Sequence, residues 1–190
     1  MLEKLPRALG RALKDNRPGP EKCLHLAVAK DAPELLTVES GAFLDGEALP
    51  VRFTADGAGV SPPLRWSGVT RDTATVALVV EDADSPTPQP ILHLLALLTP
   101  GVDGELTEGA LTAPSPSRDG LAVGDNSFRK PGWLPPDPPP AHGPHRYLFQ
   151  VFALKTTPDI GDAPSKADVK KALEAGALAK GVLTGTYERR

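Results

Sequence analysis

Three apolar runs set the frame of the chain. Thr73–Asp82 (TATVALVVED) is apolar on both faces through its middle, the pattern of a central strand covered on both sides. Ile91–Leu98 (ILHLLALL) repeats it with one polar interruption, His93. Pro90 and Pro100 bracket this second run and favour a strand over a buried helical segment of the same hydrophobicity. The third run follows a loop dense in glycine and proline that begins at Gly124, opens with His145-Arg146-Tyr147 and ends at Leu154. Residues two apart on a strand share a face, so His145 and Tyr147 should stand side by side. A stiff loop feeding a polar pair into the top of a buried strand has the form of a pocket wall, which the rest of the chain would complete.

Shorter β-like runs cover Leu24–Ala29, Leu35–Val38 and Leu49–Phe53, separated by turn residues such as Asp31, Pro33, Gly41, Asp45 and Gly46. His25, alone in the first of them, reads as a structural or exposed histidine rather than a functional one. Ser61-Pro62-Pro63-Leu64-Arg65-Trp66 is held extended by its prolines, with Trp66 as a core anchor. Residues 101–123 are polar and rich in glycine and proline, and read as a surface loop. Helical spacing occurs twice. Leu2, Leu5, Leu9 and Leu13, with basic residues between them, predict a short amphipathic helix over residues 2–14. Its first reading is packing on the domain surface or on a partner subunit, and its second is a membrane-surface helix. Ser165–Ala179 is the clearest helix: Ser165 stands as N-cap, Asp168 at the third position of a capping box, and Val169, Leu173 and Leu178 in the apolar stripe, with Gly181 as the stop. Gly181–Glu188 is the final strand. Many short strands and one late helix predict a mainly β fold, an antiparallel β-sandwich with peripheral helices. Residues 21–190 would form the domain and residues 1–20 a helical extension.

Composition narrows the function. The 190 residues carry a net charge of -3, which argues against a nucleic-acid partner, since phosphate backbones call for a basic surface. A single cysteine, Cys23, permits no internal disulfide and no CxxC zinc site. Arg7, Arg11 and Lys14 interrupt the N-terminal leucines, so no signal peptide is expected there, and no stretch approaches 18 apolar residues. The expectations are a cytoplasmic protein without stable membrane insertion, cofactor or metal. Twenty-two prolines, clustered at 61–63, 86–90 and 131–144, indicate shaped loops between strands.

The residues with chemistry to offer are Asp82, Asp84, His93, His145 and Tyr147, each where an apolar run meets a loop. A buried carboxylate is costly unless paired, and a nearby imidazole could pair with it. Two histidines, a tyrosine hydroxyl and a carboxylate at the mouth of an apolar cavity could hold a small anion such as phosphate when a histidine is protonated. Three alternatives stand beside this. Asp82 and Asp84 could form only an Asx-type turn before Pro86, with His145 merely capping its strand. The same Asp/His cluster could serve an acid–base or metal-assisted hydrolase, although no serine or cysteine nucleophile signature accompanies it. The chain could also be a protein-interaction module, working through the N-terminal helix and the 101–123 loop as a homodimer or with a protein partner the sequence does not identify.

These residues resemble the phosphatidylethanolamine-binding protein family, also called Raf kinase inhibitor-like proteins, and its bacterial branch in particular. Asp82-Ala83-Asp84-Ser85-Pro86 followed by His93 is similar to the family's Asp-Pro-Asp-Ala-Pro and its strand histidine. Gly124-Asp125-Asn126, the stretch Trp133-Leu134-Pro135-Pro136-Asp137-Pro138-Pro139 and His145-Arg146-Tyr147 are similar to its second signature. Ser61-Pro62-Pro63-Leu64-Arg65-Trp66 and the ending Leu183-Thr184-Gly185-Thr186-Tyr187-Glu188-Arg189 extend the likeness, which runs in family order from about residue 41 to 189. The resemblance implies a large central antiparallel sheet packed on a smaller one. It implies a non-enzymatic protein with a small pocket for phosphate or phospholipid headgroups, and a regulatory or inhibitor-like role. The pocket would be lined by Asp82, Asp84, His93, His145 and Tyr147, with Pro136 and Pro138 of the proline-rich loop as one wall. The sequence departs from the family at Ala83, Leu94, Trp133 and Pro135-Pro136. It also places Asp137 where the family brings backbone near the anion. A carboxylate pointing inward there would repel phosphate.

Overall fold

Residues 6–160 and 163–189 are described by a computed structural model. Eight strands form two antiparallel sheets. The smaller has the order β1 (Thr37–Glu39), β2 (Leu64–Ser67), β5 (Gly104–Leu106). The larger has the order β6 (Leu121–Val123), β4 (Ile91–Leu98), β3 (Thr75–Asp82), β7 (His145–Leu154), β8 (Ala177–Tyr187). The predicted architecture, a large sheet and a small one with peripheral helices, is the one observed.

The apolar runs at 73–82 and 91–98 are central strands because both faces of the larger sheet are covered. On β3, Val76, Leu78 and Val80 enter a core shared with Val38, Leu64 and Trp66 of the smaller sheet. Ala77 and Val79 face the other way, into a second core closed by helices α2 (Leu24–Ala27) and α3 (Lys166–Glu174) through Leu24, Val169 and Leu173. The alternation of strand side chains thus sends each β3 residue to one layer or the other. Trp66 is the buried anchor expected of it.

Where short runs misled, the cause is tertiary. Leu24–Ala29, expected as a strand, holds the helical turn α2. The Glu81 carboxylate accepts from the Leu24 amide at 2.8 Å, and the Gln150 side-chain oxygen accepts from the His25 amide at 2.7 Å. Two amides of the first turn are therefore satisfied from the sheet, which stabilises a helix too short to stand alone. Leu49–Phe53 is likewise no strand, and Val51–Phe53 is a 3-10 turn after Pro50. The Leu35–Val38 strand falls at Thr37–Glu39. The 101–123 loop contains β5 and β6, three residues each, too short for a periodic signal.

The capping box of α3 is present as expected, with the Ser165 and Asp168 side chains bonding each other's backbone amides. The helix nevertheless ends at Glu174 rather than Ala179. Gly176 turns the chain at φ +119, and Leu178 and Gly181 belong to β8. In the N-terminal extension, Leu2 and Leu5 lie outside the described residues, and helix α1 spans Arg7–Ala12. Its buried residue is Gly10, while Leu9 is exposed. A Cβ on Gly10 would stand 2.0 Å from the Pro140 carbonyl oxygen. Only glycine lets α1 lie this close to the proline-rich loop. Among the described residues no helix is long and apolar enough to cross a membrane.

Candidate functional site

Strand pairing brings three candidate residues to one end of the larger sheet. Asp82 ends β3 opposite Tyr147 of β7 and Ile91 of β4. Tyr147 is on the face of β7 that enters the inter-sheet core with Phe149 and Val151, and His145, two residues earlier, shares that face. His93 reaches the same side by another route. Val80 pairs with Leu94 but Glu81 pairs with Leu92, so His93 is the extra residue of a β-bulge. Without the bulge, strict alternation would put it with Leu95 and Leu97, toward the helices. Bulged, it sits 5.1 Å from the Tyr147 ring in an edge-on contact and 6.0 Å from Trp133.

A cavity of about 530 Å³ opens over these residues. Asp82, His93 and His145 line it, with Ile91, Trp133 and Leu134 among the apolar groups, and Pro135, Pro138 and Pro139 as the loop wall. Lys130 supplies a positive charge, and Phe128, 52% exposed, stands at the lining as well. The loop is clipped to His93 twice. The Leu134 amide donates to the His93 carbonyl at 2.8 Å, and His93 Nδ1 donates to the Leu134 carbonyl at 2.6 Å. Trp133 Nε1 donates to the Phe53 carbonyl at 3.0 Å and its ring stacks on Phe149.

Three expected lining residues sit elsewhere. Asp84 is not at the cavity. Its carboxylate accepts from Arg146 Nε at 2.7 Å, Arg146 Nη2 at 2.8 Å and the Arg146 amide at 2.8 Å, and it meets Arg17 Nη1 at 3.1 Å. Burial works to raise its pKa, and the bonds to Arg146 and Arg17 more than offset this, holding the carboxyl below its ordinary range. Pro136 is not among the lining residues either, and its carbonyl accepts from the Ala55 amide. Tyr147 is not among the lining groups and is fully buried against the rings of His93 and His145. Burial, then the charge of Asp82, pushes its hydroxyl well above the ordinary value, so it remains a donor.

The Asx turn and the pairing of Asp82 with an imidazole are both present. One Asp82 oxygen accepts from the Asp84 amide at 2.8 Å, and the other accepts from His145 Nδ1 at 2.8 Å. The other nitrogen of His145 meets His142 Nδ1 at 2.7 Å, and His142 Nε2 meets the Leu13 carbonyl at 2.8 Å. His142, fully buried, is a site residue that sequence patterning did not single out. Its one signal is its spacing, His142-Gly143-Pro144-His145. The chain of bonds fixes its own proton count. A carbonyl only accepts, so His142 Nε2 carries a proton, and each of the other two links needs one. Three protons are one more than a carboxylate and two neutral imidazoles hold. Asp82, His145 and His142 therefore share one extra proton and together carry no net charge. Burial, then neighbouring His145, lowers the pKa of His142.

Asp137 does line the cavity, but its carboxylate is held by Arg189 Nη1 at 2.7 Å. The same guanidinium bonds Asp56 and the Pro138 carbonyl. Arg189 thus ties the 55–56 turn to the loop wall and offsets the charge that would repel an anion. His25, read as structural, is buried and paired with Glu34 at 2.8 Å. Among the described residues no three His, Cys, Asp or Glu side chains are grouped to hold a metal ion.

Two buried polar atoms at the site have no hydrogen-bond partner among the described residues: His93 Nε2 and the Tyr147 hydroxyl. With Nδ1 donating to Leu134, neutral His93 presents a lone pair at Nε2. Burial lowers the pKa of His93 from its ordinary 6.5, against the opposing pull of Asp82 and the Leu134 carbonyl. As pH falls through 6.5 the unfolded chain therefore takes up a proton that folded His93 refuses, and stability falls with pH. Unfolding free energy should drop between pH 7.5 and 5.5 by up to about 1.4 kcal/mol per pH unit for such a histidine, and level off above pH 7.5. Urea titrations across that range check this, with the His93 ring resonances expected to titrate below the ordinary 6.5.

A family model described as phosphatidylethanolamine-binding protein matches residues 39–188. A UPF0098 protein of Methanothermobacter thermautotrophicus is 35% identical over 156 residues, covering 81% of this chain and 99% of its own. The UPF0098 protein of Aquifex aeolicus is 34% identical, with coverages of 82% and 90%. Among solved structures, E. coli YbcL, described as a new member of the mammalian PEBP family, superposes with a TM-score of 0.74 at 30% identity, covering 82% of this chain and 99% of its own. The PEBP homolog CT736 of Chlamydia trachomatis gives 0.70 at 30% identity, with coverages of 83% and 99%.

Proposed function

As the chain belongs to the phosphatidylethanolamine-binding protein family, we propose that it is a non-enzymatic binding protein whose cavity takes a small phosphorylated anion, with a regulatory role exercised through that occupancy. The observation that carries this reading is an unmet pair of buried polar atoms, Nε2 of His93 in the cavity lining and the hydroxyl of Tyr147, whose ring packs against His93. A buried polar group without a partner costs about 1–3 kcal/mol, and a ligand that supplies the missing bonds recovers it. Monoanionic phosphate suits both atoms, because its P–OH donates to the His93 lone pair while a charged oxygen accepts from Tyr147. Lys130 supplies the positive charge, and Ile91, Trp133 and the prolines suit an apolar remainder attached to the phosphate. The acid–base alternative gains less support. Both ring nitrogens of His145 and Nδ1 of His93 are already engaged within the chain, and the lone thiol, Cys23, is buried and pushed far above its ordinary pKa by burial and then Glu81.

Calorimetric titration with inorganic phosphate and phosphoethanolamine tests the reading, with Tyr147→Phe as the informative variant. Removing an unpartnered buried hydroxyl should raise the stability of the ligand-free protein by about 1 kcal/mol and weaken phosphate binding about three- to tenfold. Equal affinity in both proteins, or no heat with the wild-type chain at millimolar ligand, would count against it.

A further inference from the structure

His145 lines the cavity, yet an imidazole has two nitrogens and both are already bonded, one to Asp82 and one to His142. Any ligand oxygen that bonds this ring must replace one of them. Asp82 is the harder to displace, because it is a charged partner on the adjacent strand and is fixed in its own turn by the Asp84 amide. His142 is the easier. It is a neutral ring on a loop between Ala141 at φ +62 and Gly143 at φ +94.

What His142 lets go of lies on the N-terminal segment. Its Nε2 is bonded to the Leu13 carbonyl, which also accepts from the Asn16 amide at 2.8 Å. The same loop holds the segment at three further points. Arg17 donates to the His142 carbonyl and the Pro144 carbonyl, each at 2.7 Å, and Gly10 lies against the Pro140 carbonyl. Residues 10–17 and the loop 140–144 are therefore a single docked unit, with the His142 ring as the link from that unit to the cavity.

We propose that His142 is the specificity-determining competitor of the anion site: it occupies the His145 ring nitrogen that a phosphate oxygen would take, so that anion binding and docking of residues 10–17 through Leu13 oppose one another. This rests on the anion reading of the cavity. The exchange balances in protons. The proton of the His145–His142 link goes with His145 Nε2 to the phosphate oxygen while the Nδ1–H stays on Asp82, leaving His142 neutral with its proton on Nε2 and free to swing out. Coupling of this kind is reciprocal. Phosphate weakens docking of the segment by the same factor by which docking weakens phosphate, and the apparent affinity is the intrinsic one reduced by the fraction of undocked chains.

The test uses the full chain and two variants that reach the same link from opposite ends. His142→Ala removes the competitor. Gly10→Ala leaves both histidines in place and drives the segment off the loop by collision with Pro140. Inorganic phosphate is titrated by calorimetry, and hydrogen exchange of the amides from Gly10 to Arg17, Asn16 above all, is followed with and without it. Both variants should bind phosphate about tenfold more tightly than the wild type, within the 5- to 150-fold span of typical couplings. Phosphate should speed exchange of these amides in the wild type, and His142→Ala should speed it without phosphate. Phosphate binding of equal strength in all three proteins, or exchange indifferent to phosphate while it binds, overturns the competition and leaves the anion site standing. Absence of phosphate binding in all three proteins removes the anion site and the competition together.

Discussion

Replacing Asp82 by alanine should lower the unfolding free energy by about 3–5 kcal/mol, the range for taking one partner from a buried charge pair, and should abolish phosphate binding. The carboxylate is 4% exposed and both its oxygens are used. Its loss leaves the His145–His142 link with an extra proton and no counter-charge in a buried setting, and leaves the Asp84 amide without its acceptor. For a domain whose whole stability is typically about 5–15 kcal/mol, this is a large share. Asp82→Asn separates the two contributions. Its side-chain oxygen can still accept from the Asp84 amide and keep the turn, so its cost reports the charge alone and should be the smaller. Urea unfolding checks both variants, with a shift in midpoint at constant slope marking a true change in stability.

Glu81, the neighbour of Asp82, should show a stability loss of similar size with no effect on the cavity. It lies on the opposite face of β3 and is fully buried. It accepts from the Leu24 amide at 2.8 Å and from Gln150 Nε2 at 2.9 Å, and it pairs with Lys166. One carboxylate thus fastens α2, β7 and α3 together. Glu81→Ala should cost about 3 kcal/mol or more and release α2 first, because the Leu24 amide loses its acceptor. Glu81→Gln keeps an acceptor for that amide and gives up the charge opposite Lys166, which is a third exposed and regains water, so it should cost about 1–2 kcal/mol. Phosphate affinity should stay within twofold of wild type in both. Loss of affinity in Glu81→Gln at full folding would mean that the two faces of β3 are not independent.

The contrast between these neighbours shows what the sequence could and could not convey. The apolar runs marked β3, β4 and β7 because strands covered on both faces have no polar side to confuse the reading. The Ser165-x-x-Asp168 pattern marked the start of α3 because a capping box is local. Asp82, His93 and His145 stood out as polar residues where these runs meet loops. The face on which His93 lies was not legible, because the bulge that sets it is a property of the β3–β4 pairing. Helix α2 read as a strand because its first amides are satisfied by Glu81 and Gln150, 57 and 125 residues from their partners. Asp137 was visible as a departure, but its pairing with Arg189 spans 52 residues. His142 was missed for the same kind of reason. Its bonds run to His145, three residues on, and to Leu13, 129 residues back, and only the folded chain joins the two.

Anion binding at this site depends on the hydrogen bonds of three histidine rings, and nitrogen-detected NMR of those rings during a phosphate titration tests that most directly. Before phosphate, His93 should be neutral with its proton on Nδ1, and the His142–His145 pair should carry one proton beyond two neutral rings. On saturation with millimolar phosphate, His93 Nε2 should shift as it accepts a hydrogen bond, and the His145 signal should separate from that of His142 along the same binding curve. Ring signals that stay unchanged while phosphate is added, or a His93 that carries its proton on Nε2 from the start, would contradict the account.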